Sequence, residues 1–391
     1  MAVTVTPANR VKSLPPYLFA EIDRLKSETR QKGVDVIDLG VGDPDLATPE
    51  FIRKEMKVAL DDKAHHRYPS YTGMTTFLEA VAEWYQRRFN VALHPTQECV
   101  TLIGSKEGIA HIPLALVNPG DVVLCPNPGY PVYAIGTQFA GGEVYAMPLL
   151  EKNNYLPDLA AIPENILKRA KLMHINYPNN PTGALATRKF YEDVVAFANK
   201  HNIIVCSDAA YTELYFDNHK PMSFLEVPGA KEVGIEFHSL SKSFNMTGWR
   251  LGMAVGHRDV IAALGKIKTN VDSGQFQAVQ MAGIAALRQG DSFLADLRKI
   301  YEERKNAFLP LLEKAGLKFK PLEASFYIWV SVPDGETSAA FAKRVLSDAG
   351  IVCTPGTGFG EFGEGYVRFT LCNEVERLQA AGKRLIELMK K

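Results

Sequence analysis

The stretch Gly234-Ile-Glu-Phe-His-Ser-Leu-Ser-Lys242-Ser-Phe-Asn-Met-Thr-Gly-Trp-Arg250 begins as an apolar strand and continues into a polar segment. Open α/β sheets bind their ligands at the carboxyl ends of parallel strands. Lys242 follows such an end, and Arg250 follows eight residues later. A lysine amine can condense with an aldehyde and carry protons when cationic or apolar surroundings lower its pKa. Taken alone, Ser239-x-Ser-Lys242 fits a solvated surface lysine better than a reactive one, and the motifs elsewhere in the chain change that interpretation.

Short apolar runs alternate with stretches of helical periodicity over most of the chain. Strand-like runs lie at 34–40, 99–104, 121–126, 143–149, 172–177, 203–208, 234–240 and 251–256. Helical patterns lie between them at 75–89, 107–116, 188–199 and 258–268. Continuous apolar strands joined by helices predict an α/β fold with a largely parallel sheet covered on both faces.

The pattern changes after residue 290. A charged amphipathic stretch at 293–315 leads to strand-like runs at 317–321, 326–332 and 366–371 and a helical pattern at 338–349. A chain of 391 residues exceeds what one hydrophobic core usually serves. We therefore expect a large domain over 46–290. The N-terminal arm, 1–45, and a smaller α+β domain, 291–391, should form the second part.

The composition narrows the classes of partner. Lysine plus arginine equals aspartate plus glutamate at 44 each, so no net charge attracts nucleic acid or an anionic membrane. The sequence shows no signal-peptide pattern and no apolar run of about 20 residues. Five scattered cysteines fit buried, reduced thiols, and no His/Cys cluster suggests a metal. We expect a cytoplasmic protein that binds a small molecule, or a protein partner through a local patch.

A carboxylate ends another apolar strand, in Ile203-Ile-Val-Cys-Ser-Asp208-Ala-Ala-Tyr211. Burying Asp208 is costly unless it meets a cation. A protonated pyridine nitrogen would be such a cation, and its protonation would make the ring an electron sink. The alternative is that Asp208 caps the following helix.

Two strand-to-helix connections carry further candidate groups. In Asn176-Tyr-Pro-Asn-Asn180-Pro-Thr-Gly183, an amide could donate to a phenolate oxygen, with Tyr211 as a second donor, or the segment could be only a rigid loop. In Gly104-Ser-Lys-Glu-Gly108, the first backbone N–H groups of a helix and the Ser105 hydroxyl would form an anion site. The glycine spacing excludes a Walker loop.

The motifs together resemble the class I/II, fold-type I aminotransferases. Asn180-Pro-Thr-Gly, Asp208-x-x-Tyr211, Ser239-x-Ser-Lys242 and Arg250 occur in that family's order, and the likeness runs from Asp38-Leu-Gly-Val-Gly42 to Tyr366-Val-Arg368. The resemblance implies a large domain with a mostly parallel seven-stranded sheet and a smaller α+β domain. It also implies pyridoxal 5'-phosphate as the cofactor.

The resemblance gives each matching position a role toward that cofactor. Lys242 is implied to be the catalytic Schiff-base lysine and proton shuttle, and Asp208 the partner of the pyridine nitrogen. Asn180 and Tyr211 are implied to contact the ring oxygen, and Tyr130 to stack on the ring, although a turn aromatic is the alternative for Tyr130. The implied phosphate-binding residues are Ser105, Lys106, Ser239, Ser241 and Arg250.

Arg368 matches the arginine that binds the substrate α-carboxylate. A planar guanidinium suits this role because it fixes a carboxylate bidentately and so orients the α-hydrogen. The alternative, a solvated strand arginine, fits poorly with the apolar run Tyr366-Val-Arg-Phe-Thr-Leu371. The implied substrate-binding set is Tyr17, Gly42, Lys106, Tyr130, Asn180 and Arg368.

A homodimer with active sites at the subunit interface is also implied. Tyr68, in Arg67-Tyr-Pro-Ser-Tyr-Thr-Gly73, matches a tyrosine that reaches the phosphate of the neighbouring subunit. Tyr71 is close enough in sequence to leave that assignment open.

The implied reaction has two half-reactions at one site and ping-pong kinetics, without a metal. Segments 13–22, 38–49 and 324–329 look most like the subgroup that moves an amino group between LL-2,6-diaminopimelate and 2-oxoglutarate in lysine biosynthesis. Alanine and aspartate aminotransferases are the closest alternatives, although Thr269-Asn-Val-Asp-Ser273 lacks an arginine for a distal carboxylate. A C–S β-lyase of the same fold is the alternative from another class. A transcription regulator of this fold would need a fused DNA-binding module.

Overall fold

The computed structural model describes the backbone of residues 2–14 and 18–390. Its strands are β1 (Ile37–Asp38), β2 (Cys99–Leu102), β3 (Val122–Asn127), β4 (Glu143–Pro148), β5 (Ala170–Asn176), β6 (Ile204–Asp208), β7 (Gly234–Ser239), β8 (Gly252–Gly256), β9 (Lys318–Phe319), β10 (Tyr327–Ser331), β11 (Ile351–Val352), β12 (Thr354–Pro355) and β13 (Tyr366–Thr370). Tyr17, predicted to close over the substrate, lies outside the described residues.

The α-helices of the described part fill the connections between strands. They are α1 (Asn9–Lys12), α2 (Leu18–Gln31), α3 (Glu50–Asp61), α4 (Thr75–Phe89), α5 (Ser105–Leu116), α6 (Val132–Phe139), α7 (Glu164–Leu167), α8 (Arg188–His201), α9 (Ala230–Val233), α10 (Leu240–Ser243), α11 (Arg258–Val271), α12 (Gln277–Gln289), α13 (Asp291–Lys314), α14 (Ser338–Ala349) and α15 (Val375–Met389). No helix within the described ranges is both long and apolar enough to cross a membrane.

The central sheet has seven strands in the described residues, in the order β2-β8-β7-β6-β5-β3-β4. Strands β4, β3, β5, β6 and β7 run parallel, and β8 is antiparallel to both of its neighbours. The predicted α/β class with a mostly parallel sheet is therefore confirmed. The parallel direction of β5, β6 and β7 brings their carboxyl ends to one edge, where Asn176, Asp208 and Ser239 are the last residues.

The side chains of successive strand residues pack on opposite faces of this sheet, in two different hydrophobic cores. Leu172 packs with helices α5 and α11, whereas Met173 packs with α4 and α8. This alternation follows from the two-residue period of a strand. It explains why the strands read as unbroken apolar runs, since both faces are covered by helices.

Local capping sets several helix ends. The Thr187 hydroxyl accepts a hydrogen bond from the backbone N–H of Phe190 and so caps α8, which ends at Asn202 in the left-handed region. Thr337 caps α14 in the same way, and Gly350 ends it with φ of 65°. These side chains satisfy backbone groups that a helix end would otherwise leave unpaired.

A second core joins the two ends of the chain. Residues 34–40, predicted as one strand, form only β1, which pairs in parallel with β11 rather than with the central sheet. Ile37 and Leu39 are 1 % and 0 % exposed and belong to the core formed by α13, α14, α15 and the antiparallel sheet β12-β13-β10-β9. The grouping of 1–45 with 291–391 and the boundaries at 46 and 290 stay predictions.

Candidate active site

A cleft of about 460 Å³ opens where the carboxyl ends of β6 and β7 meet the second core and the N-terminal segment. Of the predicted site residues that the structure describes, it brings together all but Tyr68. The predicted residues that line it are Gly42, Ser105, Lys106, Tyr130, Asn180, Asp208, Tyr211, Ser239, Ser241, Lys242, Arg250 and Arg368. Residues separated by more than 300 positions in the sequence thus share one cavity.

Lys242 lies in the short helix α10, directly after β7. Its Nζ donates a hydrogen bond to the backbone carbonyl of Gly42 at 2.7 Å. Burial lowers the pKa of Lys242 below its ordinary value, and the positive charges of Arg368 and Arg250 act in the same direction. A larger fraction of its amine is therefore neutral, which is the form that attacks a carbonyl carbon and accepts a proton.

Asp208 ends β6 and is 5 % exposed. Tyr133 donates a hydrogen bond to its Oδ2 at 2.8 Å. Burial raises the pKa of Asp208 to about 6, although this hydrogen bond opposes the shift. Asp208 makes no ion pair with a described residue, although the charge of His238 also opposes the rise of its pKa, and turns rather than a helix follow it. A buried acid without an ion-pair partner is poised to bind a cationic ligand group.

Arg368 lies on β13 and is 2 % exposed, so the alternative of a solvated strand arginine is wrong. Its Nη1 donates to Asn180 Oδ1 at 2.8 Å and its Nη2 to the carbonyl of Gly40 at 2.6 Å. Its Nε is buried and makes no hydrogen bond to the described residues. Such a buried guanidinium, without a carboxylate among its described partners, fits an anionic ligand.

The part of the cleft between the start of α5 and Arg250 is rich in hydrogen-bond donors. Ser105 begins α5, and the hydroxyl of Ser239 accepts from the backbone N–H of Ser241. Arg250 Nη1 lies 3.5 Å from Ser241 Oγ. A Cβ atom on Gly104 would lie 2.3 Å from Arg250 Nη2, so the absence of a side chain there lets the guanidinium approach the start of α5. Helix N–H groups, hydroxyls and a guanidinium form a binding site for an anion such as a phosphate.

Residues 34–385 match the profile of the family described as Aminotransferase class I and II. The chain belongs to that family. It is 58 % identical over 381 residues to an LL-diaminopimelate aminotransferase of Aquifex aeolicus, which covers 97 % of this chain and 98 % of that relative. An LL-diaminopimelate aminotransferase of Syntrophobacter fumaroxidans is 56 % identical over the same length, with the same shares of both chains covered.

Solved structures give the same result for the fold. The apo structure of BacF from Bacillus subtilis superimposes on this aminotransferase with a TM-score of 0.95 and 39 % sequence identity. The match covers 99 % of this chain and 98 % of BacF. The shared architecture includes both the central sheet and the second core, since nearly all of each chain is covered.

The aromatic residues predicted around the site divide into two groups. Tyr130 lines the cleft and contacts Tyr133 edge to face at 5.8 Å. Tyr68 is 87 % exposed and Tyr71 49 % exposed, and neither lines the cleft of its own chain. The predicted contact of Tyr68 with a neighbouring subunit, and the choice between Tyr68 and Tyr71, stay predictions.

The sequence reasoning missed several residues that shape the site of this aminotransferase. Tyr133 contacts Asp208, Tyr327 lies between Tyr211 and Arg368, and Phe359 packs against the Arg368 guanidinium at 4.7 Å. Asp23 and Asp43 also line the cleft. Tyr327 lies inside the segment 324–329, and Tyr133 follows Tyr130 by three residues, but only the fold shows what their hydroxyls contact.

Proposed function

We propose that this aminotransferase binds pyridoxal 5'-phosphate through Lys242 and moves an amino group between LL-diaminopimelate and 2-oxoglutarate, as predicted for lysine biosynthesis. One observation carries the chemistry. Lys242, with a lowered pKa, shares a single cleft with a buried carboxylate, Asp208, and a buried guanidinium, Arg368, and neither forms an ion pair with a described residue.

The residues present fit the cofactor at three points. The donors at the start of α5 with Ser239, Ser241 and Arg250 would hold its phosphate. Asp208 would meet the ring nitrogen, and the protonated nitrogen would in turn lower the pKa of this carboxylate. The hydroxyl of Tyr211 and the amide of Asn180 would contact the ring oxygen.

Bound pyridoxal phosphate supplies an electron sink for the negative charge that develops at the substrate α-carbon. The other functions belong to the chain. Arg368 would bind the α-carboxylate through Nε and a terminal nitrogen, which fixes the direction of the α-hydrogen. Lys242 Nζ would take the α-proton and deliver it to the cofactor, since its amine is released when the substrate amine binds. Burial of the cleft limits access of water to these groups.

The substrate assignment rests on the relatives rather than on pocket geometry. The curated relatives at 58 % and 56 % identity carry the name LL-diaminopimelate aminotransferase. A substrate with an amino-acid group at each end also needs partners for its second ammonium and its second carboxylate. Asp23 and Asp43 add negative charge to the lining of the cleft, and Lys106 adds positive charge.

We also propose a homodimer in the cytoplasm. The exposure of Tyr68 and Tyr71 supports a subunit interface beside the cleft. All five cysteines are buried and unpaired, which fits a reducing compartment. The division at residues 46 and 290 into a large domain and a second part belongs to the same proposal.

A substrate panel tests the proposed function. The enzyme is loaded with pyridoxal phosphate and kcat/KM is measured for LL-diaminopimelate, alanine and aspartate with 2-oxoglutarate as acceptor. We expect LL-diaminopimelate to be preferred and glutamate to form in equal amount. A preference for alanine or aspartate would refute the substrate. Release of pyruvate, ammonia and a thiol from an added S-alkylcysteine, without an acceptor, would indicate a C–S lyase. Lys242→Ala should abolish turnover, whereas Lys299→Ala, at an exposed helix position, should not.

A further inference from the structure

Tyr327, the first residue of β10, lies at a junction of three distant parts of the chain. It is 3 % exposed, yet it lines the cleft. It contacts Tyr211 after β6, Arg368 on β13 and Gly42 in the N-terminal segment. None of the roles proposed above uses it.

The contact with Tyr211 joins two hydroxyl groups. The Oη atoms of Tyr327 and Tyr211 are 3.0 Å apart, and burial raises the pKa of both, so both keep their protons near neutral pH. A tyrosine hydroxyl has one proton to donate and two lone pairs to accept with. If Tyr211 donates to the cofactor's ring oxygen, its oxygen is left to accept, and Tyr327 is the donor that faces it. Donation from Tyr327 would polarise Tyr211 and strengthen it as a donor.

The contact with Arg368 uses the tyrosine ring instead of the hydroxyl. The guanidinium carbon of Arg368 lies 4.2 Å from the centroid of the Tyr327 ring. Tyr327 pairs with Thr370 across the antiparallel strands β10 and β13, so Arg368, two residues from Thr370, is its diagonal neighbour on the same face. A ring face at this distance attracts a cation and restricts its orientation.

Tyr327 packs directly against the backbone of Gly42, with no room for a side chain between them. A Cβ atom at Gly42 would lie 2.1 Å from the Tyr327 hydroxyl oxygen. The same glycine accepts the hydrogen bond from Lys242 through its carbonyl. The Tyr327 hydroxyl thus occupies the space beside the segment that touches the reactive lysine.

We propose that Tyr327 is a positioning residue that couples the cofactor end and the carboxylate end of the site. Its hydroxyl donates to Tyr211 and makes Tyr211 a stronger donor to the ring oxygen, while its ring orients Arg368 for the substrate carboxylate. This inference rests on the proposed function, because both effects act on groups of the bound cofactor and substrate.

The experiment separates the hydroxyl from the ring. In cofactor-bound enzyme, the pH midpoint of the visible absorbance band is titrated for the wild type, Tyr327→Phe, Tyr211→Phe and the double variant. A weaker hydrogen bond from Tyr211 leaves more negative charge on the ring oxygen, which holds the proton of the adjacent Lys242 linkage more firmly. We therefore expect Tyr327→Phe to raise the midpoint by roughly half a pH unit. Tyr211→Phe should raise it further, and the double variant should match Tyr211→Phe.

Tyr85→Phe is the matched control, because it removes a buried tyrosine hydroxyl that donates to Glu236 at 3.0 Å outside the cleft. Its midpoint should equal that of the wild type. An unchanged midpoint in Tyr327→Phe, or full additivity in the double variant, would overturn the link through Tyr211. A wild-type enzyme without any visible band would instead overturn the proposed function, and this inference with it.

The ring is tested with glutarate, an unreactive dicarboxylate. Its dissociation constant for the cofactor-bound enzyme should stay within about twofold in Tyr327→Phe, which keeps the ring, and rise about three- to tenfold in Tyr327→Leu. Equal weakening in both variants would overturn the role of the ring. Because binding and absorbance are read without turnover, a general loss of activity does not imitate either result.

Discussion

Asp208→Asn should raise the free energy of unfolding of the cofactor-free enzyme and weaken the binding of its cofactor. In the folded apoenzyme, burial raises the pKa of Asp208 from an ordinary 3.8 to about 6. The folded state therefore binds more protons than the unfolded state between these values, and the free energy of unfolding falls as the pH rises through this window. Asparagine keeps the shape and accepts from Tyr133 but carries no charge.

The size of the effect follows from the interval between 3.8 and about 6. At about 1.4 kcal/mol for each pH unit, ionising the buried carboxyl costs up to about 3 kcal/mol above pH 7 and about 1.6 kcal/mol at pH 5. We expect the free energy of unfolding of Asp208→Asn to exceed that of the wild type by these amounts. With pyridoxal phosphate bound, the order should reverse, because the ionised carboxylate then faces a cation.

Urea unfolding of the apoenzymes at pH 5, 6 and 7.5 measures the difference, and repeating it with saturating cofactor measures the reversal. Asp334→Asn, at an exposed position, is the control and should show no comparable dependence on pH. An Asp208→Asn apoenzyme that is less stable than the wild type at pH 7.5 would refute the reasoning. So would a difference that does not grow between pH 5 and pH 7.5.

Three further substitutions test the site and its supports. Arg368→Lys should raise KM for both the amino donor and the oxo acid by roughly 10- to 100-fold, because an ammonium cannot replace bidentate binding; an unchanged KM in steady-state assays would contradict its role. Gly42→Ala should lower the free energy of unfolding by about 1 to 3 kcal/mol in urea titrations, because its Cβ atom would lie within 3 Å of Tyr327. It should also lower kcat. Wild-type stability and kcat would contradict this packing. Asp45→Asn should lower the free energy of unfolding by about 2 kcal/mol, because Arg304 makes two 2.7 Å hydrogen bonds to the Asp45 carboxylate. Asp296→Asn, in an exposed ion pair with Lys299, should lower it by under about 0.5 kcal/mol. Equal losses in urea titrations would refute this ranking.

The strand-end residues of the site were predictable because their signal is local. Asp208 ends one largely apolar strand and Lys242 follows another, and a parallel sheet brings the carboxyl ends of such strands to one edge. The helix after Gly104 was predictable because its periodicity is also local, although it begins at Ser105 rather than at Glu107. In each case a few neighbouring residues contain the whole pattern.

The remaining features depend on contacts between distant residues. The strand over 34–40 was predicted too long and without its partner, because nothing in those residues shows that Ile37 pairs with Ile351. In the sequence, Tyr327 and Tyr133 cannot be told from ordinary core tyrosines. The partners of their hydroxyls, Tyr211 and Asp208, lie 116 and 75 positions away along the chain. The glycine-rich run 355–365 includes short 3-10 turns, and a Cβ atom at Gly360 would lie 2.2 Å from Asn127 Oδ1, a close approach that the sequence does not show.

The attachment of the cofactor at Lys242 is the claim on which the account depends. The enzyme loaded with pyridoxal phosphate is reduced with borohydride, digested, and searched by mass spectrometry for the lysine that carries the cofactor. We expect the reduced cofactor on the peptide that contains Lys242 and on no other lysine. A label on Lys106, which also lines the cleft, or no label at all, would contradict it.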